Sequence, residues 1–280
     1  MTHRETPPNG VNWHDLTAVS ARQRTVELLL PVPWLGLSWG LYSSQLWYLG
    51  PLASFMFFLC ALRLNHEAIH GNLGLGRSGD SIVMHVLSAL MLGANHAVAF
   101  NHLQHHRFAM GPGDHEGKCG HMSFWQVLVY GPRFPVDLNL VAWRNGSHRW
   151  RWLLLLDWLG IAGFAGVVVW LSVDFLLLHL AAMIVAQCLT ALFAVWITHQ
   201  GTQASGIAGR SQRGVLARLA YLMFYHREHH LFPNVPVRCL PILARRLDEQ
   251  VPEYAATRLP VVPVFDRPHA RQSQGKRLGT

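Results

Sequence analysis

Residues 152–198 read WLLLLDWLGIAGFAGVVVWLSVDFLLLHLAAMIVAQCLTALFAVWIT. A bilayer-spanning helix needs about 20 predominantly apolar residues. This stretch offers two such runs, Trp152 to Leu171 and Phe175 to Thr198, joined by Ser172-Val173-Asp174. It predicts a helical hairpin in a membrane. A second long apolar stretch, 26–64, is broken near Ser43-Ser44-Gln45 and Gly50-Pro51 and predicts another hairpin. Trp34, Trp39, Trp47 and Tyr48 are its candidate interfacial anchors. The composition agrees. The chain of 280 residues is 51% hydrophobic and 14% charged. A soluble domain carries roughly a quarter charged residues, so this chain has too few to cover a water-facing surface. Its apolar content equally excludes a disordered chain.

The net charge is +8, and all 23 Lys and Arg fall in the N-terminal arm, between Arg63 and Arg151, or from Arg210 onward. Neither hairpin turn contains one. The positive-inside rule then places both turns outside and both termini in the cytosol. Because the basic residues are spread between apolar runs rather than forming one patch, nucleic acid is not an implied partner. The preference for Arg over Lys points to a GC-rich bacterial genome, and so to a bacterial inner membrane. Cys60, Cys119, Cys188 and Cys239 form no CxxC pair, which leaves no basis for a cysteine zinc site or a disulfide framework. Residues 2–25 are polar, so no cleavable signal peptide is expected.

These features predict a single all-α integral-membrane domain over 1–280, with four transmembrane helices as two hairpins. Its parts are a first hairpin (26–64), a cytosolic or interfacial segment (65–151), a second hairpin (152–198), a cytosolic helical cap (199–251) and a flexible tail (252–280). Within 65–151, Ser81 to Phe100 is apolar enough to span. It lies between two histidine clusters, however, and twenty residues allow only one crossing. If the clusters share a site, this segment is an interfacial or cytosol-facing helix. Phe124 to Val136 reads similarly, ended by Pro132 and Pro135.

The chain also carries 18 histidines against 15 acidic residues. Three clusters stand out: His66-Glu67-Ala68-Ile69-His70, His102-Leu103-Gln104-His105-His106 and His226-Arg227-Glu228-His229-His230. Residues three and four apart share a helix face, so each cluster turns two or three imidazoles to one side. Random placement would give about 0.07 HxxHH matches per chain, by counting against the template; two occur. Eight imidazoles exceed the four ligands that zinc takes and suit two six-coordinate ions. Imidazole serves Zn, Cu, Fe and Ni alike, so the ligand count argues for a dinuclear site without naming the metal.

HEAIH, HLQHH and HREHH, in that order and at helix ends, resemble the three histidine boxes of the membrane fatty acid desaturase superfamily. The similarity covers roughly His66 to Pro236, and HREHHLFPNVP is especially similar to the third box of acyl desaturases. The resemblance implies two non-haem iron ions, O2, a lipid or acyl substrate from the bilayer, and a separate ferredoxin, rubredoxin or cytochrome b5 as electron donor. It also implies a further ligand near the end of the last span, where His199 stands. Some acyl-CoA desaturases have an Asn one turn earlier. Val195 occupies that place here, so no Asn ligand is expected. The implied ligand set is His66, His70, His102, His105, His106, His199, His226, His229 and His230.

A ligating imidazole usually gives its other nitrogen to a carboxylate or carbonyl. Glu67 and Glu228 are candidates for that role, with Asn101, Gln104, Asp114 and Glu116 behind them. Asp157, inside the third span, is functional by default unless it pairs with Arg149 or Arg151. His85 and His96 are taken as structural. His3, His14, His115, His121, His148, His179 and His269 are taken as surface or interfacial. Fatty-acyl desaturation is the first functional reading, and a carotenoid or other lipid ketolase or hydroxylase the second. A His-rich metal transporter or haem-binding membrane protein is a reading of another class. It predicts histidines lining a path inside the spans.

Overall fold

The computed structural model describes residues 5–263. Among these residues the only strand-like feature is an isolated bridge between Ser211 and Tyr225. In chain order the helices are α1 (Ala21–Leu29), α2 (Val32–Tyr42), α3 (Gly50–Ile69), α4 (Gly76–Met91), α5 (Asn95–Phe108), α6 (Phe124–Tyr130), α7 (Phe134–Asn145), α8 (His148–Leu171) and α9 (Asp174–Thr190). A π-helical segment, Ala191–Trp196, runs on into α10 (Ile197–His199). The cap follows as α11 (Val215–Leu219), α12 (His226–Leu231), α13 (Leu240–Gln250) and α14 (Pro252–Ala256).

The protein has the all-α integral-membrane fold that its apolar runs predict. Three helical stretches, Trp47–Ile69, His148–Leu171 and Asp174–Ser205, are long and apolar enough to cross a membrane. The first limb of the first hairpin is shorter than expected. Pro31 interrupts it, leaving α1 and α2 as separate helices. At 1.5 Å per residue α2 covers about 16 Å, roughly half of the hydrocarbon core. It packs back on α3 through a 2.7 Å Ser38–Ser54 hydroxyl contact, with Tyr42 also accepting from Ser54. At the start of α3, a Cβ on Gly50 would lie 2.2 Å from the Tyr42 ring, so only glycine lets the hairpin close.

The segment read as one interfacial helix, Ser81 to Phe100, is two helices. α4 and α5 meet at a 116° bend over Leu92–Ala94. Both outer ends of the pair lead to histidine clusters, so it enters the bundle and returns. The bend is stable because its exposed backbone groups find partners. His179 and Gln187 of α9 reach the carbonyls of Leu90 and Met91 at 2.9 Å each, and Ser88 Oγ accepts the Asn95 amide. His179 is therefore fully buried, against the rings of Trp39 and Phe57, and is not the surface residue expected.

The helix expected to stop at Pro132 and Pro135 stops after Tyr130 and restarts as α7 at Phe134. Pro135 stands in the first turn of α7, where its missing N–H costs nothing.

Outward-facing Leu156, Leu159, Val167, Val169 and Trp170 on α8 are exposed, as a lipid-facing helix requires. The cap has its own core, built from Leu231, Phe232, Leu240, Leu243 and Leu247. The N-terminal arm straps across it: Trp13 packs on Phe232, Glu5 pairs with Arg227 and Asp15 with Arg246. The expected tail still contributes Tyr254 of α14 to that core. Residues 264–280, with His269, and residues 1–4, with His3, lie outside the described residues.

Candidate metal centre

The nine histidines of the expected ligand set come from four elements and meet at one end of the bundle. α3 brings His66, with His70 as its C-cap. α5 brings His102, His105 and His106, α10 brings His199, and α12 brings His226, His229 and His230. The π segment precedes His199. A π turn inserts a residue into the helical repeat and so resets which face the next residues present.

The imidazoles sort into two groups by their Nε2 atoms. In the first, His66 lies 2.9 Å from His229, His229 2.9 Å from His106, His106 3.2 Å from His102, and His102 3.1 Å from His70. In the second, a ring closes: His105 to His199 2.9 Å, His199 to His226 2.7 Å, His226 to His230 3.0 Å, and His230 to His105 3.2 Å. Neutral imidazole has one N–H and one lone pair. Where Nδ1 holds the proton, Nε2 offers only a lone pair. A closed ring of such nitrogens at 3 Å repels itself unless a cation sits among them. Two ligands at right angles, each about 2.1 Å from one ion, lie about 3.0 Å apart. The spacings found match that figure, so the donor set fits two metal ions. His66, His70, His102, His106 and His229 would hold one, and His105, His199, His226 and His230 the other.

Two carboxylates set the tautomers of two of these imidazoles. α5 ends at Ala109, whose left-handed φ of 45° turns the chain back along the helix. Asp114 then accepts from His105 Nδ1 at 2.6 Å, and Glu116 from His102 Nδ1 at 2.9 Å. Asp114 also accepts the amides of Met110 and Gly117. Burial works against its charge, but the hydrogen bond from His105 and these amides outweigh it and hold the carboxyl below its usual range. Burial pushes the imidazoles of His226, His229 and His230 well below their usual value, and neighbouring imidazoles add to it. They are neutral at pH 7, which is the ligating form.

The other acidic candidates have different partners. Glu67 is buried and accepts the Val237 amide at 3.1 Å, tying the first cluster to the chain that follows the third. Glu228 accepts from Ser211 at 2.8 Å and is paired with Arg213. Neither contacts an imidazole of the two groups. Asp157 pairs with His85 and His96 rather than with Arg149 or Arg151. Asn101 bonds the carbonyls of Ala97 and Leu138. Asp114 and Glu116, ranked behind Glu67 and Glu228 on sequence, are the carboxylates that reach the clusters. A close acidic pair just after an HxxHH cluster was the only sequence signal for them.

A bundle of apolar helices with nine imidazoles gathered at one end defines an integral-membrane protein whose polyhistidine clusters are able to bind metal. The family model for fatty acid desaturase matches residues 42–261, and the chain belongs to that family. Membership of that family implies a lipid-modifying oxidoreductase. No individually curated protein matches the chain.

Proposed function

We propose that the protein is an O2-dependent di-iron desaturase acting on a fatty acyl chain. The observation that carries this reading is the pairing of two convergent Nε2 groups with the end of a lipid-facing bundle. The iron ions would supply the oxidising power to break unactivated C–H bonds. The balance is R–CH2–CH2–R′ + O2 + 2 e⁻ + 2 H⁺ giving R–CH=CH–R′ + 2 H2O, with the electrons from a separate ferredoxin, rubredoxin or cytochrome b5. The protein's own side chains would hold the ions, Asp114 and Glu116 fix the tautomers of His105 and His102, and eight of the nine imidazoles are buried away from water. No side chain is asked to abstract a proton from carbon, since the hard chemistry belongs to the metal. The site and both termini would face the cytosol of a bacterial inner membrane, following the charge asymmetry.

Elemental analysis combined with lipid profiling of an expressing host tests this. Two irons per chain and new double bonds in fatty acids are expected, together with a cytosolic signal from a reporter fused at Thr280. Oxygenated carotenoids without new double bonds would replace the reading with ketolation or hydroxylation. One metal per chain in fully active protein would overturn the dinuclear centre.

A further inference from the structure

Away from the nine imidazoles, a second polar cluster is buried inside the bundle. Asp157 of α8 is fully buried, and His96 of α5 is almost so. His85 of α4 meets the Asp157 carboxylate through Nδ1 at 2.6 Å. His96 Nδ1 lies 3.1 Å from both carboxylate oxygens, and the His96 backbone amide donates to Oδ2 at 2.9 Å. Ser81 Oγ lies 2.9 Å from the remaining His96 nitrogen. The two rings stand 4.3 Å apart. One carboxylate thus gathers three N–H groups from both limbs of the re-entrant pair.

A buried ionised carboxylate is costly unless fully bonded, and in an apolar segment it signals function. Three donors answer that cost and leave open what the cluster does. Its position supplies the answer. α5 has no side-chain cap of its own at Ala94. Asp157 stands in for one, placing negative charge at the positive end of the helix. The same helix carries His102, His105 and His106 toward its other end. From His96 to His102 is about 9 Å at 1.5 Å per residue, along a continuous helix. Those three imidazoles serve both nitrogen groups. A small axial slip or rotation of α5 would therefore misplace ligands in both at once.

We propose that Asp157 is a positioning residue. It clamps α4 and α5 to α8, and thereby sets the axial position and rotation of the second histidine cluster in both metal sites. The proposal rests on the two-site ligand set and not on which reaction the centre performs.

Co(II) refilling of metal-free protein in detergent tests this without any turnover, reading stoichiometry, affinity and the visible ligand-field spectrum. Unsubstituted protein should take two Co(II). Asp157→Asn, which keeps volume but loses charge, should weaken both sites about tenfold, the lower end for an outlying partner of metal ligands, and should alter the spectrum. His85→Phe, which frees only the α4 limb, should give a smaller change in the same direction, and it keeps the test open if Asp157→Asn fails to fold. Asp157→Glu should recover part of the affinity. Unchanged Co(II) affinity and spectrum in folded Asp157→Asn would overturn the clamp. So would a third Co(II) in the unsubstituted protein that vanishes in His85→Phe, because the cluster would then itself be a metal site.

Discussion

Replacing Asp114 by Asn should separate the two proposed metal sites. In the native protein Asp114 Oδ2 accepts from His105 Nδ1 at 2.6 Å and from the Met110 amide at 2.8 Å, while Oδ1 accepts the Gly117 amide at 2.7 Å. An asparagine side chain has one oxygen and one NH2 group. Its better orientation keeps the oxygen on His105 and Met110 and turns the NH2 toward the Gly117 N–H, a donor facing a donor. The His105 bond survives as a neutral bond, about half as strong as the charge-assisted one. Charged hydrogen bonds contribute about 1.5–3 kcal/mol. Losing half of that, about 1 kcal/mol, weakens a site about fivefold. Asp114→Ala removes the bond outright and should approach a hundredfold, the upper range for such partners. Only the group containing His105 should suffer. The group built on His66, His70, His102, His106 and His229 has its own anchor in Glu116. In a chelator-competition titration, Asp114→Asn should lower the affinity of one of the two metals and leave the other unchanged. Equal weakening of both sites, or of neither, would refute the division of the nine imidazoles into two independent groups.

Glu116→Gln should give the mirror image, weakening the other metal in the same titration. Arg213→Met takes the cationic partner from the buried Glu228 carboxylate, which still accepts from Ser211. Breaking a buried pair costs about 3–5 kcal/mol, a fall of about 10 °C in unfolding temperature that differential scanning fluorimetry reads. The pH dependence follows from the third cluster. His226, His229 and His230 have values below normal in the folded state, so the unfolded chain takes up protons first as pH drops below about 6.5. Stability of the metal-free protein is then full above that pH and lost as pH falls toward the folded values. Its unfolding temperature should hold between pH 7.5 and about 6.5 and fall from there to pH 5.5, and a flat or rising trend below pH 6.5 would refute the burial of neutral imidazoles. His105→Ala and His229→Ala should each abolish turnover while inserting normally into membranes, as membrane fractionation with lipid analysis would reveal.

The fold was largely legible because its signals are local. Uninterrupted apolar length marks α3, α8 and α9 without help from neighbours, and helical spacing turns each histidine cluster to one side. The resemblance added His199, which spacing alone could not attach to the clusters. Three features were not legible. The sharp turn between α4 and α5 depends on His179 and Gln187, more than eighty residues away, supplying donors to carbonyls that a straight helix would have paired. The same contact made His179 a buried residue. The roles of the carboxylates also escaped sequence: Glu67 and Glu228 sit inside clusters yet bond elsewhere, while Asp114 and Glu116 reach the imidazoles only because the chain reverses after Ala109. Sequence by itself determined that the protein is a helical membrane protein and which nitrogens are available. Tertiary structure alone decided how those nitrogens divide between two sites and which carboxylates orient them. That division rests on distances of about 3 Å between residues up to 163 positions apart, and no periodicity along a chain encodes such distances.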